Sequence, residues 1–286
     1  MGPPAECIAR VRRPPPHVYF VGSAIFHYLG PSFAVLLFAR VPVPGVAWLR
    51  IVSAAMVFAV WRRPWRVLLD SPSTRWSIAG LGAVFAAMNY SFYFAIAALP
   101  LGTVAAIEFV GPIVLALVGD RSARNVAAVV LAAGGVYALT DVRLEGSVAG
   151  FAWAFLNAVL FCAYVVLAHR LAGVAGDTSP IDRLGGAMLV ASVVICPLGL
   201  GAALPALADP VALGAGIGVG VSSSVIPYVF DQLAMRRLPR ATYALFVALL
   251  PATAVIVGVV VLRQIPTAVE LAGVGLVIAG VVGHRP

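Results

Sequence analysis

A chain of 286 residues that is 62% hydrophobic and only 10% charged departs far from soluble domains, which run about 45–50% apolar and about 25% charged. No soluble fold of this length hides that much apolar surface, so the composition predicts one all-α integral membrane domain and excludes a soluble one. A formal charge of +8 would suggest nucleic acid in a polar protein, but all nineteen basic residues are Arg and most lie between apolar runs, a pattern of membrane orientation.

The first 17 residues, with Arg10, Arg12 and Arg13, form a basic tail expected in the cytoplasm. A charged start before an apolar run resembles a signal peptide, but the run over 18–39 is too long for one and no small-residue cleavage site stands out. Spanning helices need about 20 mainly apolar residues. The first falls at 18–39 and includes His27, a packing residue or a proton relay. The second, 43–61, carries Arg50 in "PGVAWLR". An arginine there either pairs with a substrate carboxylate or with Glu108, or snorkels to the nearer interface.

The third span, 76–98, holds Asn89, Tyr90 and Tyr93. Asn89 and Tyr93 are four apart and share a helix face, with Tyr90 beside them, so all three are candidates to line a binding site. The fourth, 101–119, places Glu108 about 10 Å into an apolar helix at 1.5 Å per residue. A carboxylate at the bilayer centre costs roughly 2.5–3.5 kcal/mol, and intramembrane acids mark pathways by default. Glu108 is therefore a candidate for coupling protons to substrate; the alternative is a structural hydrogen bond or an ion pair with Arg50. Pro112, four residues on, cannot donate to the Glu108 carbonyl, and Gly111 gives room for a bend, so the helix is expected to bend or open there.

The fifth, sixth and seventh spans fall at 123–140, 148–169 and 184–204. The eighth, 211–235, contains Ser222, Ser223 and Ser224, read as packing residues, then Tyr228, Asp231 and Gln232. Tyr228 and Gln232 are candidates for substrate contact and Asp231 is a second candidate for proton coupling, with an ion pair to Arg236 or Arg237 as its alternative. The ninth, 239–262, has Pro251 at a possible gate, and the tenth, 266–283, begins beside Glu270, read as interfacial. Ten spans put fifteen arginines on the side of both termini and three on the other, with Arg50 inside a span. That asymmetry predicts cytoplasmic termini.

Leu99-Pro100 and Leu238-Pro239, Ala105 and Ala244, and Pro112 and Pro251 are each 139 residues apart. The chain therefore reads as a five-helix unit over 18–140 duplicated over 148–283. A unit with an odd number of crossings must be inverted in its second copy, which is the architecture of secondary transporters. Cys7, Cys162 and Cys196 and the four histidines fall in no ligand pattern, so neither a metal nor another cofactor is predicted. A lipid-modifying membrane enzyme would need a metal motif or nucleophile elbow, and none occurs.

Three stretches, "VPGVAWLRIVSAAMVFAVWRRPWR" (43–66), "MNYSFYFAIAALPLGTVAAIEFVGP" (88–112) and "IPYVFDQLAMRRLP" (226–239), resemble the threonine/homoserine exporters of the drug/metabolite transporter superfamily, which are built from two EamA-type repeats. The resemblance implies proton-driven efflux of small amino acids or related metabolites across the bacterial inner membrane, as a monomer or homodimer. The chain departs from the family at Leu250-Pro251, where Glu-Pro is frequent, and at Arg263-Gln264, where Gly-Glu is common.

Overall fold

The computed structural model describes residues 15–69, 72–119, 122–141, 148–172, 179–235 and 250–283, and these hold helices and no strands. In chain order they are α1 (Pro16–Leu37), α2 (Val43–Arg62), a 3-10 turn (Pro64–Leu69), α3 (Pro72–Ala98), α4 (Leu101–Gly119), α5 (Ala123–Asp141), α6 (Val148–Ala172) and α7 (Pro180–Ala208). Then α8 (Pro210–Gly220) runs through a π-helical turn (Val221–Val225) into α9 (Ile226–Met235), followed by α10 (Leu250–Leu262) and α11 (Ala268–Gly283). Among the described residues, six stretches are long and apolar enough to cross a membrane, namely Val18–Leu37, Val43–Arg62, Thr74–Ala98, Val148–Ala168, Pro180–Ala208 and Pro210–Asp231; the other apolar stretches, Leu101–Gly111, Ala123–Leu139, Leu250–Leu262 and Ala268–Gly283, are shorter. The start of the predicted ninth span, with Pro239, lies outside the described residues, as do Arg236, Arg237 and Arg240.

Local chemistry fixes the ends of these helices. Pro180 occupies the first turn of α7, where its missing N–H costs nothing. Ser179 and Asp182 close a reciprocal capping box there. Asp209 caps α8 by accepting from the Val211 and Ala212 amides. α2 ends where Arg63 turns left-handed at φ 51°, and α10 ends the same way at Arg263, φ 54°.

Packing is set by small residues. α2 and α7 lie so close that a Cβ on Gly45 would meet the Ala202 carbonyl at 2.6 Å, and one on Gly199 would meet the Pro44 carbonyl at 2.5 Å. α5 and α11 interlock reciprocally: Gly135 faces the Gly273 carbonyl and Gly273 faces the Gly135 carbonyl. Lipid tails give no hydrophobic drive between helices, so close backbone contact of this kind supplies the packing. α3 packs on α6 and α7, α1 and α2 pack on the α8–α9 segment, α4 packs on α6 and α10, and α1 also packs on α10. The outward faces carry large apolar side chains such as Val130, Tyr137, Val159, Val193 and Val260, all well exposed. A bundle wearing its apolar side chains outside is solvated by lipid.

Candidate functional site

Arg50 is buried among α2, α3 and the α8–α9 segment, with 6% of its surface exposed. Its guanidinium turns inward rather than snorkelling outward: Nε donates to Ser224 Oγ at 3.0 Å and Nη2 to the Ser223 carbonyl at 3.2 Å. The guanidinium also lies over the Tyr93 ring, 5.2 Å from its centroid. The Ser223 carbonyl is available for a chemical reason. Pro227, four residues on, has no N–H to give it, and the preceding turn is π-helical, with the Ile226 amide reaching back to Val221. Gly30 on α1 and Gly220 give this widened turn its room; a Cβ on Gly30 would meet the Ser223 amide nitrogen at 2.6 Å. The serine run is thus an arginine seat as well as a packing surface. Its legible signal was the proline four residues downstream of Ser223.

Glu108 on α4 is half-buried and faces Asn157 on α6, approaching it without reaching hydrogen-bond geometry. It lies within electrostatic reach of Arg50 and of the buried Tyr28 on α1. Arg50 and Glu108 form no direct salt bridge. α4 stays helical through Gly111 and Pro112 rather than opening beside the acid. Gly111 is a contact point for α6, since a Cβ there would meet Cys162 Sγ and the Ala158 carbonyl. The side chain of Pro112 lies outside the described residues, and Pro251 is buried at the described start of α10.

Asp231 joins a second polar group. Ser23 Oγ on α1 lies 2.5 Å from Asp231 Oδ1 and 3.1 Å from the Pro227 carbonyl. His27 Nδ1 stands 4.0 Å from Asp231 Oδ2. The Tyr228 ring meets His27 at 5.7 Å and Phe85 at 5.7 Å. His27 in turn lies within the field of Arg50, which connects the two groups. The other candidates separate. Asn89 donates back to the Phe85 carbonyl of its own helix at 2.8 Å, and Tyr90 stacks in an aromatic cluster with Phe94 and Trp153. The Gln232 side chain lies outside the described residues.

Among the described residues, the buried side-chain atoms without a hydrogen-bond partner are His27 Nδ1, Tyr93 Oη, Ser223 Oγ and both amide atoms of Asn157. Tyr93 and Ser223 adjoin Arg50, Asn157 adjoins Glu108, and His27 adjoins Asp231 within the field of Arg50. Tyr93 Oη and Ser223 Oγ approach one another there without closing a hydrogen bond. Buried polar atoms left unmatched cost about 1–3 kcal/mol each. Tyr28, His27 and Asn157 gain their meaning only through tertiary neighbours. No cluster of His, Cys, Asp or Glu able to hold a metal occurs among the described residues.

A separate cleft opens between the start of α4 and the α10–α11 turn, lined by Thr103, Gln264 and Glu270 among others. Gln264 Oε1 accepts the Leu101 amide at 3.1 Å and so caps α4 from the far half of the chain. Glu270, read from the sequence as interfacial, is buried in a capping box with Thr267.

Residues 148–284 match the EamA-like transporter family. The chain is 30% identical over 257 residues to the threonine/homoserine exporter RhtA of Escherichia coli K12, covering 89% of this chain and 85% of that protein. The same protein of Salmonella typhimurium LT2 matches at the same identity and coverage. This chain belongs to the EamA-like transporter family. It is a multi-pass membrane exporter of the drug/metabolite transporter superfamily and not an enzyme. A solved crystal structure covers 94% of this chain and 95% of its own with a TM-score of 0.59 at 16% identity, a likeness of fold.

Proposed function

We propose that the protein exports small amino acids of the threonine/homoserine kind across the bacterial inner membrane, exchanging them for protons by alternating access. One observation carries this reading: unmatched polar atoms gather around Arg50 and Glu108 inside an apolar bundle. A guanidinium takes a carboxylate through parallel hydrogen bonds, and a carboxylate takes an ammonium group. A zwitterion entering between them satisfies both. Glu108 and Asp231 serve as proton-coupling acids; Arg50, Tyr93 and Tyr228 line the path, with Asn89, Tyr90 and Gln232 supporting it, and Gly111, Pro112 and Pro251 allow the helices to move.

The chain is read as a cytoplasmic tail (1–17) and two inverted five-helix repeats (18–140 and 148–283), with both termini in the cytoplasm. The exchange symmetry of the packing supports the duplication. Advancing by five spans turns α3 on α6 into the α8–α9 segment on α1, turns α4 on α6 into α10 on α1, and leaves α2 with α7 and α5 with α11 unchanged. The 30% identity to an amino-acid exporter supports the cargo class.

The test is efflux from proteoliposomes holding purified protein and labelled threonine or homoserine, with and without a proton gradient. Gradient-stimulated efflux with reciprocal proton movement is expected. Efflux indifferent to the gradient would remove proton antiport, and no flux of any small amino acid would remove the cargo class.

A further inference from the structure

We infer that Asn157 reads the substrate side chain and selects one that both donates and accepts a hydrogen bond. This rests on the amino-acid transport reading above. Asn157 sits mid-way along α6, fully buried, in the polar interior that Glu108 enters from α4. Neither its Nδ2 nor its Oδ1 makes a hydrogen bond of acceptable geometry among the described residues, although the Glu108 carboxyl approaches it. Elsewhere in the bundle, polar side chains of comparable burial find backbone acceptors close by: Asn89 bonds the Phe85 carbonyl, Ser53 the Leu49 carbonyl and Ser91 the Ala87 carbonyl. Asn157 makes no such local bond.

The two ends of a carboxamide demand different things. Nδ2 is a donor and needs an acceptor; Oδ1 is an acceptor and needs a donor. A substrate carboxylate satisfies only the first, and an ammonium group only the second. Both are already provided for, by Arg50 and by Glu108. Among the side chains of uncharged amino acids, the group that satisfies both ends of Asn157 is one carrying donor and acceptor together, a hydroxyl or a carboxamide. An apolar side chain of the same size leaves both ends buried and unmatched. Sites that hydrogen-bond a substrate hydroxyl reject the analogue lacking it far more strongly than apolar pockets distinguish methylenes.

Threonine and valine differ by a hydroxyl in place of a methyl group and make the probe. Full-length protein in proteoliposomes is assayed for counterflow of each, and the ratio of rates is taken within one preparation. The wild type is expected to favour threonine by about tenfold or more, consistent with loss of a buried hydrogen bond worth at least about 1.4 kcal/mol. In Asn157→Leu the ratio should fall to within about threefold of unity, and Asn157→Ser, which keeps a donor and an acceptor on a shorter arm, should retain part of it.

An unchanged ratio in Asn157→Leu overturns the inference, as does a wild type that moves the two equally. A wild type that moves neither amino acid overturns the transport reading itself, a separable failure. Should Asn157→Leu not fold, the ratio in Asn157→Ser decides: no change from wild type overturns the role.

Discussion

Arg50 and Glu108 are opposite charges in one apolar interior, yet each is directed to a neutral partner. The guanidinium is committed to a serine hydroxyl and a backbone carbonyl, and the carboxylate faces a carboxamide. A direct ion pair would cancel both charges; the separation keeps them available at the cost of desolvation. Glu108→Gln preserves shape and removes the charge. Folding should survive, because removing a buried charge relieves a desolvation penalty. Proton-driven efflux should fall steeply, because a neutral amide cannot take up or release the coupling proton, while substrate-for-substrate exchange persists and its pH dependence flattens. Wild-type rate with a wild-type pH profile would reduce Glu108 to a helix contact. The charges themselves were legible in the sequence, since an acid or arginine within an apolar run stands out. Asn157 and Tyr28 were not, because nothing in the sequence sets one amide or phenol in a helix apart until the fold supplies its neighbours, and His27 stood open between packing and proton relay for the same reason.

At the scale of the element, the segment from α8 to α9 departs most from a plain apolar helix. Hydropathy reads 211–235 as one span, and it is one, but hydropathy does not register a turn that widens in the middle. Pro227→Ala restores the missing N–H and lets the helix close on the Ser223 carbonyl. An interior helix gains up to about 3 kcal/mol from Pro→Ala, against about 1.5–3 kcal/mol for the lost hydrogen bond to a charged group. The variant should therefore melt no lower than wild type and transport several-fold more slowly, as Arg50 loses its seat. Lower thermal stability with wild-type transport would show that the widened turn serves the fold alone. α4 teaches the converse. A proline and a glycine beside Glu108 pointed to a bent or opened helix; α4 is helical through both rather than opened, and Gly111 is met by α6. Close packing settled what local propensity left open.

For the whole molecule, ion pairs stand at both ends of the α2–α7 seam. Arg62 grips Asp182 through two hydrogen bonds, 2.8 and 3.2 Å, at one end, and Arg40 lies 3.8 Å from Asp209 at the other. The Arg40–Asp209 pair is exposed, and exposed pairs contribute only about 0–1 kcal/mol; the Arg62–Asp182 pair is part-buried and held bidentately, and glycine contacts run along the seam between them. The arginine asymmetry predicts the face to which the Arg62 end belongs. Single cysteines placed at Arg63 and at Arg40 should label from the cytoplasmic and external sides respectively, and the reverse pattern would invert the topology.

Polar contacts in the interior tie the first 141 residues to those after 147: Ser23 to Asp231, Arg50 to Ser223 and Ser224, and Glu108 toward Asn157, with the Leu101 amide bonded to Gln264. During synthesis, Arg50 and Glu108 enter the bilayer long before their partners exist. The early half must wait with its charges unmet, held by a translocon, by water or by a chaperone. Residues 1–147 made alone should be degraded, and co-expression with 148–286 should rescue both fragments into a complex that co-purifies and transports. If the first fragment accumulates stably by itself, the contacts across the halves do not govern biogenesis. If it does not, the two halves are bound to be made together, and neither is free to evolve as an independent membrane protein.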